Sequence, residues 1–148
     1  MIGDKLISNI NAALSKEHKI KLAYVLGSVI SDMAKKLDFL NEHIHKIENM
    51  DFNKSEFIEN VDIHDLIVFR LQQAVETSID IATHIIAALS ESRKETAKDA
   101  FAFLGEKGII NKELSLKMGR AADFRNRVVH GYNNFDIKQL ILQGGIKI

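Results

Sequence analysis

Apolar residues recur at three- and four-residue steps through almost the whole chain of 148 residues, and the chain contains no proline. That spacing places apolar side chains on one face of an α-helix. Because proline removes a backbone donor and clashes with the preceding turn, its absence is compatible with long uninterrupted helices. The pattern predicts an all-α fold, an up-and-down four-helix bundle with one or two short additional helices, in a single domain over residues 1–148.

The predicted helices are separated by short segments that contain glycine or polar residues. Asp62, Asn111 and Asp136 precede periodic segments and are the expected N-caps of three helices. Gly27 is a point where the second helix can bend, and Gly131 suits the left-handed position that ends a helix. The predicted spans are 4–18 and 19–49 (or one helix interrupted near His18), 62–92, 95–105, 112–130 and 136–143, with a frayed tail at 144–148.

The predicted helix 62–92 carries apolar side chains on two sides, which indicates that it lies at the centre of the bundle. An acidic segment, residues 51–65, precedes it and is expected to be a solvated loop with one helical turn. Ala74, Ser78 and Ala82 are small enough to allow close approach of a second chain. The two stripes are Ile67, Leu71, Ala74, Ser78, Ile81, Ile85 and Ala88 on one side, and Val68, Val75, Ile79, Ala82, Ile86 and Leu89 on the other.

Composition excludes several classes of protein. The 20 basic and 20 acidic residues give a formal net charge of zero, so contact with nucleic acid requires a local basic patch. Cysteine is absent, which excludes disulfides, thiol catalysis and zinc sites that use cysteine. No apolar run reaches the roughly 18 residues of a membrane span, and the start of the chain lacks a hydrophobic signal core. A cytoplasmic protein without membrane contact is expected.

The segment FRNRVVHGY, from Phe124 to Tyr132, carries the residues best suited to chemistry. Its arginine, Arg125, lies in an apolar seam of its helix, where a guanidinium is costly unless it is paired. Asn126 and His130 are four residues apart and share a face. The long Arg125 side chain can approach the imidazole near one phosphate-sized site.

An imidazole that exchanges protons near neutral pH, beside a fixed cation, meets the requirements of metal-free RNA cleavage. His130 would transfer the proton, and Arg125 would stabilise the pentacoordinate phosphorane. From the residues alone, a salt-bridged helix cap without catalysis is the favoured interpretation, because such a stretch at a helix end is more often a cap than a nuclease site. From Lys117 to Tyr132, four basic side chains against one acidic side chain form a small patch that attracts anions. The additional candidates for RNA contact are Lys117, Arg120 and Arg127.

Glu76, Asp80 and His84 follow one another at steps of four and form a polar stripe on the predicted central helix. Either carboxylate is a candidate partner for Arg125, so Glu76, Asp80 and Asn126 are expected to support the site, and His84 can line an RNA cleft. An ordinary solvated stripe explains the spacing equally well. Two like-charged carboxylates with one histidine are weak ligands for a metal, so no metal site and no cofactor are expected.

The remaining histidines and aromatic residues are interpreted as structural. His43 and His45 are two apart and point to different faces of their helix, and both are expected at the surface. The set Phe101, Phe103 and Phe124 is expected to pack in the core rather than to stack on bases.

The order Arg125-Asn126, three residues, His130, one residue and Tyr132, at the end of the last long helix, resembles the HEPN superfamily and, within it, the HepT toxins. The resemblance covers about residues 60–140. Gly131 departs from the family pattern at a variable position. The other similar segments are RLQQAVETSIDIATHII from Arg70, FAFL from Phe101 and GII from Gly108.

The resemblance implies a homodimeric, metal-independent ribonuclease toxin of a type VII-like toxin–antitoxin pair, with tRNA or mRNA as substrate. Its partner would be a minimal nucleotidyltransferase (MNT) antitoxin. By the same resemblance, Arg125 and His130 are catalytic, and Tyr132 is the residue that the partner adenylylates.

A two-fold dimer is expected because hydrolysis usually needs two proton-transfer groups and each chain offers one motif histidine. Pairing would bring both copies of His130 and both copies of Arg125 to one cleft. Two alternatives remain open at this point. One is a non-catalytic helical subunit that binds substrate for a nucleotidyltransferase, and the other is a structural dimer.

Overall fold

A computed structural model describes residues 21–51 and 53–130, with side chains over 31–51, 53 and 55–130. All regular structure in these residues is helical, which confirms the all-α prediction. The helices predicted over 4–18 and 136–143, and the predicted tail, lie outside the described residues. No helix in the described part combines the length and apolar character needed to cross a membrane. The helices are α1 (Lys21–Glu48), α2 (Lys54–Glu59), α3 (Val61–Ala88), α4 (Ala97–Glu106) and α5 (Lys112–His130).

The long central helix α3 begins one residue earlier than predicted and has a different cap. The side-chain oxygen of Asn60 accepts hydrogen bonds from the backbone N–H groups of Asp62 and Ile63, at 3.1 and 3.3 Å. The prediction of Asp62 as the N-cap is therefore wrong. Asp62 lies in the first turn of α3, where a carboxylate interacts favourably with the positive end of the helix dipole. The predicted end at Ser92 is also wrong, because Ser90 takes a left-handed backbone conformation with φ 58°.

The acidic connection contains the expected helical turn, which is the six-residue helix α2. Asn53 and Glu56 form a reciprocal capping box, in which each side chain accepts a hydrogen bond from the other residue's backbone N–H, at 2.9 and 2.8 Å. An asparagine followed three residues later by a glutamate is a sequence signal for such a helix start. The connection ends at Asn60 rather than at Asp65, because α3 begins immediately afterwards.

Helix α3 is central because its buried side chains contribute to both apolar clusters, as the two stripes predicted. The smaller cluster joins Phe57 of α2 to Ile67 of α3. The larger cluster lies between α1, α3, α4 and α5, and burying its apolar surface is the main stabilising contribution to the fold. Its buried members are Met33, Leu37, Ile81, Ala82, Ile85, Ile86, Ala100, Phe101, Leu104, Ile109, Ile110 and Ala122.

The small residues of α3 do not form a free seam. Ala82 is 1% exposed, and Ala74 is also buried within the chain. The Ser78 hydroxyl donates to the carbonyl oxygen of Ala74 at 2.8 Å. The prediction that this seam is available to a second chain is therefore wrong, because the chain's own helices already cover most of it.

One side chain, His43, departs from the structural role predicted for it. His43 is only 8% exposed and lies with its ring centroid 4.4 Å from that of Phe39, so its predicted surface position is wrong. Phe101 and Phe124 are buried as predicted. Phe103 is half-buried and packs against the larger cluster, as predicted. The Lys94 ammonium lies 4.0 Å from its ring centroid, which is a cation–π contact.

Helices α4 and α5 approach each other closely at Gly105. The Ser115 hydroxyl of α5 is buried and donates to the backbone carbonyl oxygen of Phe101 at 2.8 Å. A Cβ atom added at Gly105 would lie 2.7 Å from Ser115 Oγ and 2.8 Å from Ser115 Cβ. Those distances are shorter than van der Waals contact, so the crossing of α4 and α5 requires glycine at this position.

Gly105→Ala is expected to lower the free energy of unfolding by about 1–3 kcal/mol, because the new methyl group overpacks the crossing. The matched control is Gly119→Ala, whose Cβ would lie 3.4 Å from the flexible Lys98 side chain. That control gains helix propensity worth up to about 1 kcal/mol. Urea denaturation of both variants measures the difference, and equal stabilities would contradict the close approach.

Candidate functional site

The Arg125 side chain, on α5, is held by one side chain from α3 and one from its own helix. Its Nε donates to Glu76 Oε1, and its Nη1 donates to Asn126 Oδ1 at 3.0 Å. The Arg125 and Glu76 side chains are 27% and 35% exposed. The partner that the seam position of Arg125 requires is therefore Glu76, the first carboxylate of the polar stripe.

The two contacts fix the guanidinium without using all of its donors. A guanidinium has five N–H groups, and Glu76 and Asn126 accept from two of them. No other described residue accepts from Arg125, so the remaining donors can bind the oxygens of a phosphate. Partial burial strengthens such a contact relative to one in bulk water.

His130 lies in the last turn of α5, with an exposed side chain. It follows Asn126 by four residues, so the two share a face of the helix. Arg125 Nη1 donates to the side chain of Asn126, which lies on that face. Arg125 and His130 are separated by about 7.5 Å along the helix axis.

The other members of the polar stripe face different partners. Asp80 forms an ion pair at 2.9 Å with Lys36 of α1, so of the two candidate carboxylates the one that pairs with Arg125 is Glu76. His84 is half-buried and has no hydrogen bond to a described residue. Over residues 21–51 and 53–130, no three histidine, aspartate or glutamate side chains are grouped as metal ligands.

The basic side chains of the predicted patch differ in whether they already pair with a carboxylate. Lys117 pairs with Glu113 at 2.6 Å, and its hydrogen bond and charge lower the pKa of that carboxyl. Arg120 and Arg127 are exposed, and neither forms an ion pair with another residue of the described part. They are therefore better placed than Lys117 to meet an anion. The predicted modification site, Tyr132, lies outside the described residues.

Two long-range ion pairs near the site were not predicted from the sequence. Lys36 reaches Asp80 across α1 and α3, and Lys98 of α4 reaches Asp123 of α5 at 3.0 Å. Neither pair has a local spacing signal, because the partners lie on different helices. Asp123 is the one acidic side chain in the basic patch, and its ion pair with Lys98 offsets its negative charge.

A family model described as Ribonuclease HepT-like matches residues 40–141. The chain belongs to the HepT-like ribonuclease family. The matched span contains Glu76, Arg125 and His130 and extends into α1, farther toward the N-terminus than the predicted resemblance. The HEPN resemblance that the motif indicated is confirmed.

Two nucleases of the HepT-like family are similar to this chain over most of its length. The tRNA nuclease HepT of Aphanizomenon flos-aquae is 30% identical over 102 residues, which are 68% of this chain and 67% of that protein. The mRNA nuclease HepT of Shewanella oneidensis is 27% identical over 110 residues, or 73% of this chain and 83% of that protein.

Solved structures of toxin–antitoxin complexes share the HepT-like fold. One contains a tri-AMPylated HEPN toxin of Shewanella oneidensis with its MNT antitoxin, with a TM-score of 0.66, 24% identity and coverage of 74% of this chain and 83% of that one. Another toxin–antitoxin complex has a TM-score of 0.63, 26% identity and coverage of 76% and 87%. The helical architecture is thus common to the family.

Proposed function

We propose that this protein is a metal-independent ribonuclease toxin of a HEPN/MNT toxin–antitoxin pair. The observation that carries the proposal is the guanidinium of Arg125, fixed by Glu76 and by Asn126, which precedes His130 by four residues on α5. The family and its named nucleases support RNA as the substrate, with tRNA and mRNA as the two classes to test.

The proposed reaction is attack of the ribose 2′-hydroxyl on the adjacent phosphate. Arg125 stabilises the negative charge of the phosphorane, and His130 transfers a proton to or from the reacting oxygens. Arg120 and Arg127 are exposed and attract the flanking phosphates, which makes binding dependent on salt concentration.

Cleavage of RNA by the purified protein is expected to be unchanged by metal chelation. The two groups that perform the reaction are side chains, so EDTA has no component of the site to remove. Gel analysis of labelled tRNA and mRNA, with and without chelator, measures this. Loss of cleavage in EDTA, restored by added divalent cation, would contradict the mechanism. No cleavage under any condition would favour the non-catalytic binding subunit.

The proposal includes a two-fold dimer that aligns two copies of the α5 end along one RNA path. The charge of Arg125, Arg120 and Arg127 from two chains would raise the local positive potential. Sedimentation is expected to give a dimer at micromolar concentration. A stable monomer that still cleaves RNA would remove the shared cleft from the proposal.

Control of the toxin is proposed to act through Tyr132, two residues beyond His130. The neighbouring complex, in which a HEPN toxin is tri-AMPylated and bound to an MNT antitoxin, supports this kind of modification. A nucleotide attached beside Arg125 and His130 would add negative charge and bulk at the anion site, so RNA would be excluded without a change of fold.

A further inference from the structure

The proposed cleavage needs a group that accepts the 2′-hydroxyl proton and a group that donates a proton to the leaving oxygen. His130 can fill one of these positions in each chain. Among the described residues, the carboxylate in contact with Arg125 is that of Glu76. The site therefore contains a second proton-transfer group beside the cation that would bind the scissile phosphate.

We propose that Glu76 is the general base of the reaction and His130 of the same chain is the general acid. This inference rests on the proposed ribonuclease function and deepens it, because it completes the acid–base pair within one chain.

The reaction step is balanced between the two groups. The Glu76 carboxylate takes the proton of the 2′-hydroxyl while the O2′–P bond forms. The P–O5′ bond breaks as the His130 imidazolium gives its proton to the 5′ oxygen. The products are a 2′,3′-cyclic phosphate and a 5′-hydroxyl end, and exchange of one proton with water at each group restores the starting state.

The geometry of the ion pair leaves Glu76 able to act. Its Oε1 accepts the hydrogen bond from Arg125 Nε, whereas Oε2 has no hydrogen-bond donor among the described residues. The side chain is 35% exposed, so a ribose hydroxyl can reach that second oxygen. Because one oxygen is anchored to the phosphate-binding cation, the other is held beside the position of the phosphate.

The proposed step is an in-line displacement, in which the entering and leaving oxygens lie on opposite sides of phosphorus. Glu76 approaches from α3 at Arg125, and His130 lies about 7.5 Å farther along α5. The proposal therefore requires that a phosphate bound by Arg125 has the Glu76 carboxylate on one side and the His130 imidazole on the other.

The other carboxylates near the site are occupied elsewhere. Asp80, one turn beyond Glu76, is paired with Lys36, and Asp123 is paired with Lys98. Both face lysines rather than the guanidinium of Arg125. Glu76 is thus the described carboxylate whose position fits a base.

The first test is Glu76→Gln, which removes basicity and preserves shape. A glutamine oxygen can still accept from Arg125 Nε, so the guanidinium keeps its position. Cleavage is expected to fall by about 100-fold or more. Glu42→Gln is the matched control, since Glu42 pairs with Lys46 on the surface of α1, and it is expected to leave cleavage unchanged. Retention of most activity by folded Glu76→Gln protein would overturn the proposal.

The second test assigns the two roles with an RNA that carries sulfur in place of the bridging 5′ oxygen at the cleavage site. A thiolate leaves without protonation, so the substrate does not need a general acid. His130→Ala is expected to cleave it to within about tenfold of the wild-type rate, while Glu76→Gln remains impaired. If His130→Ala is equally inactive on both substrates, His130 is not simply the acid and the assignment of Glu76 fails.

These outcomes separate the inference from the function on which it rests. Wild-type protein that cleaves no RNA overturns the ribonuclease proposal itself. Wild-type protein that cleaves RNA, together with an active Glu76→Gln variant, overturns only the role of Glu76. Circular dichroism and thermal melting of each variant show whether a loss of cleavage reflects unfolding.

Discussion

Arg125→Ala and His130→Ala are each expected to abolish RNA cleavage and growth inhibition while leaving the helix content intact. Loss of a transition-state charge stabiliser costs about 10²–10³ in rate, and loss of a positioned proton-transfer group costs about 10²–10⁴. Both side chains are at least partly exposed, so their removal opens no large core cavity. Removal of Arg125 leaves the Glu76 carboxylate within reach of water.

Matched controls distinguish catalysis from a general loss of charge. Arg93→Ala and His45→Ala remove the same side-chain types from exposed positions outside the proposed site, and both are expected to cleave at the wild-type rate. Single-turnover cleavage of labelled RNA measures all four variants. If folded His130→Ala protein cleaves RNA as fast as wild type, the nuclease mechanism is refuted.

Tyr132→Phe is expected to keep most of the cleavage activity and to resist inactivation by the nucleotidyltransferase partner with ATP. The substitution removes the hydroxyl that would attack the α-phosphate of ATP and leaves the ring. Intact-mass analysis after co-expression should show AMP additions on wild-type protein and none on the variant. Residual activity after treatment with the partner should differ by about 100-fold or more if modification blocks the catalytic groups.

The chain offers a direct control for this prediction. It has two tyrosines, and the other is Tyr24, near the start of α1. Tyr24→Phe is expected to be modified and inactivated as the wild type is. Equal AMP addition on Tyr132→Phe and wild type, or no addition on either, would remove Tyr132 from the proposed mechanism.

Helix positions could be predicted because each depends on neighbours a few residues apart. The Asn111 side chain accepts from the backbone N–H of Leu114 at 2.7 Å, as its place before an apolar period indicated. Helix α1 continues through Gly27 without an interruption. The predicted start of α3 is wrong because Asn60 and Asp62 are both suitable N-caps and the helix uses Asn60.

The burial of His43 could not be predicted from hydropathy. A polar residue gives no apolar signal, although His43 occupies a covered position of α1 against Phe39. Its Nδ1 is buried and has no hydrogen-bond partner among the residues that the structure describes. Local spacing correctly separated the faces of His43 and His45, but it could not tell which face another helix covers.

The candidate site was predictable in its residue types and only partly in its pairing. Spacing placed Glu76 and Asp80 on one face of α3 and identified both as candidates for Arg125. Which of the two carboxylates pairs with Arg125 depends on the packing of α1 and α5 against that face. In the fold, Lys36 of α1 meets Asp80, and Arg125 of α5 meets Glu76. These partners are 44 and 49 residues apart, beyond any local pattern.

The separation between Glu76 and Arg125 has a consequence for the cell that makes the protein. The two residues lie 49 positions apart, on helices joined through α4. A nascent chain that has emerged from the ribosome only as far as α4 presents the carboxylate without its guanidinium and without His130. Under the proposed mechanism, cleavage requires that α5 has emerged and docked on α3, so an unfinished chain is expected not to cleave the RNAs around the translating ribosome.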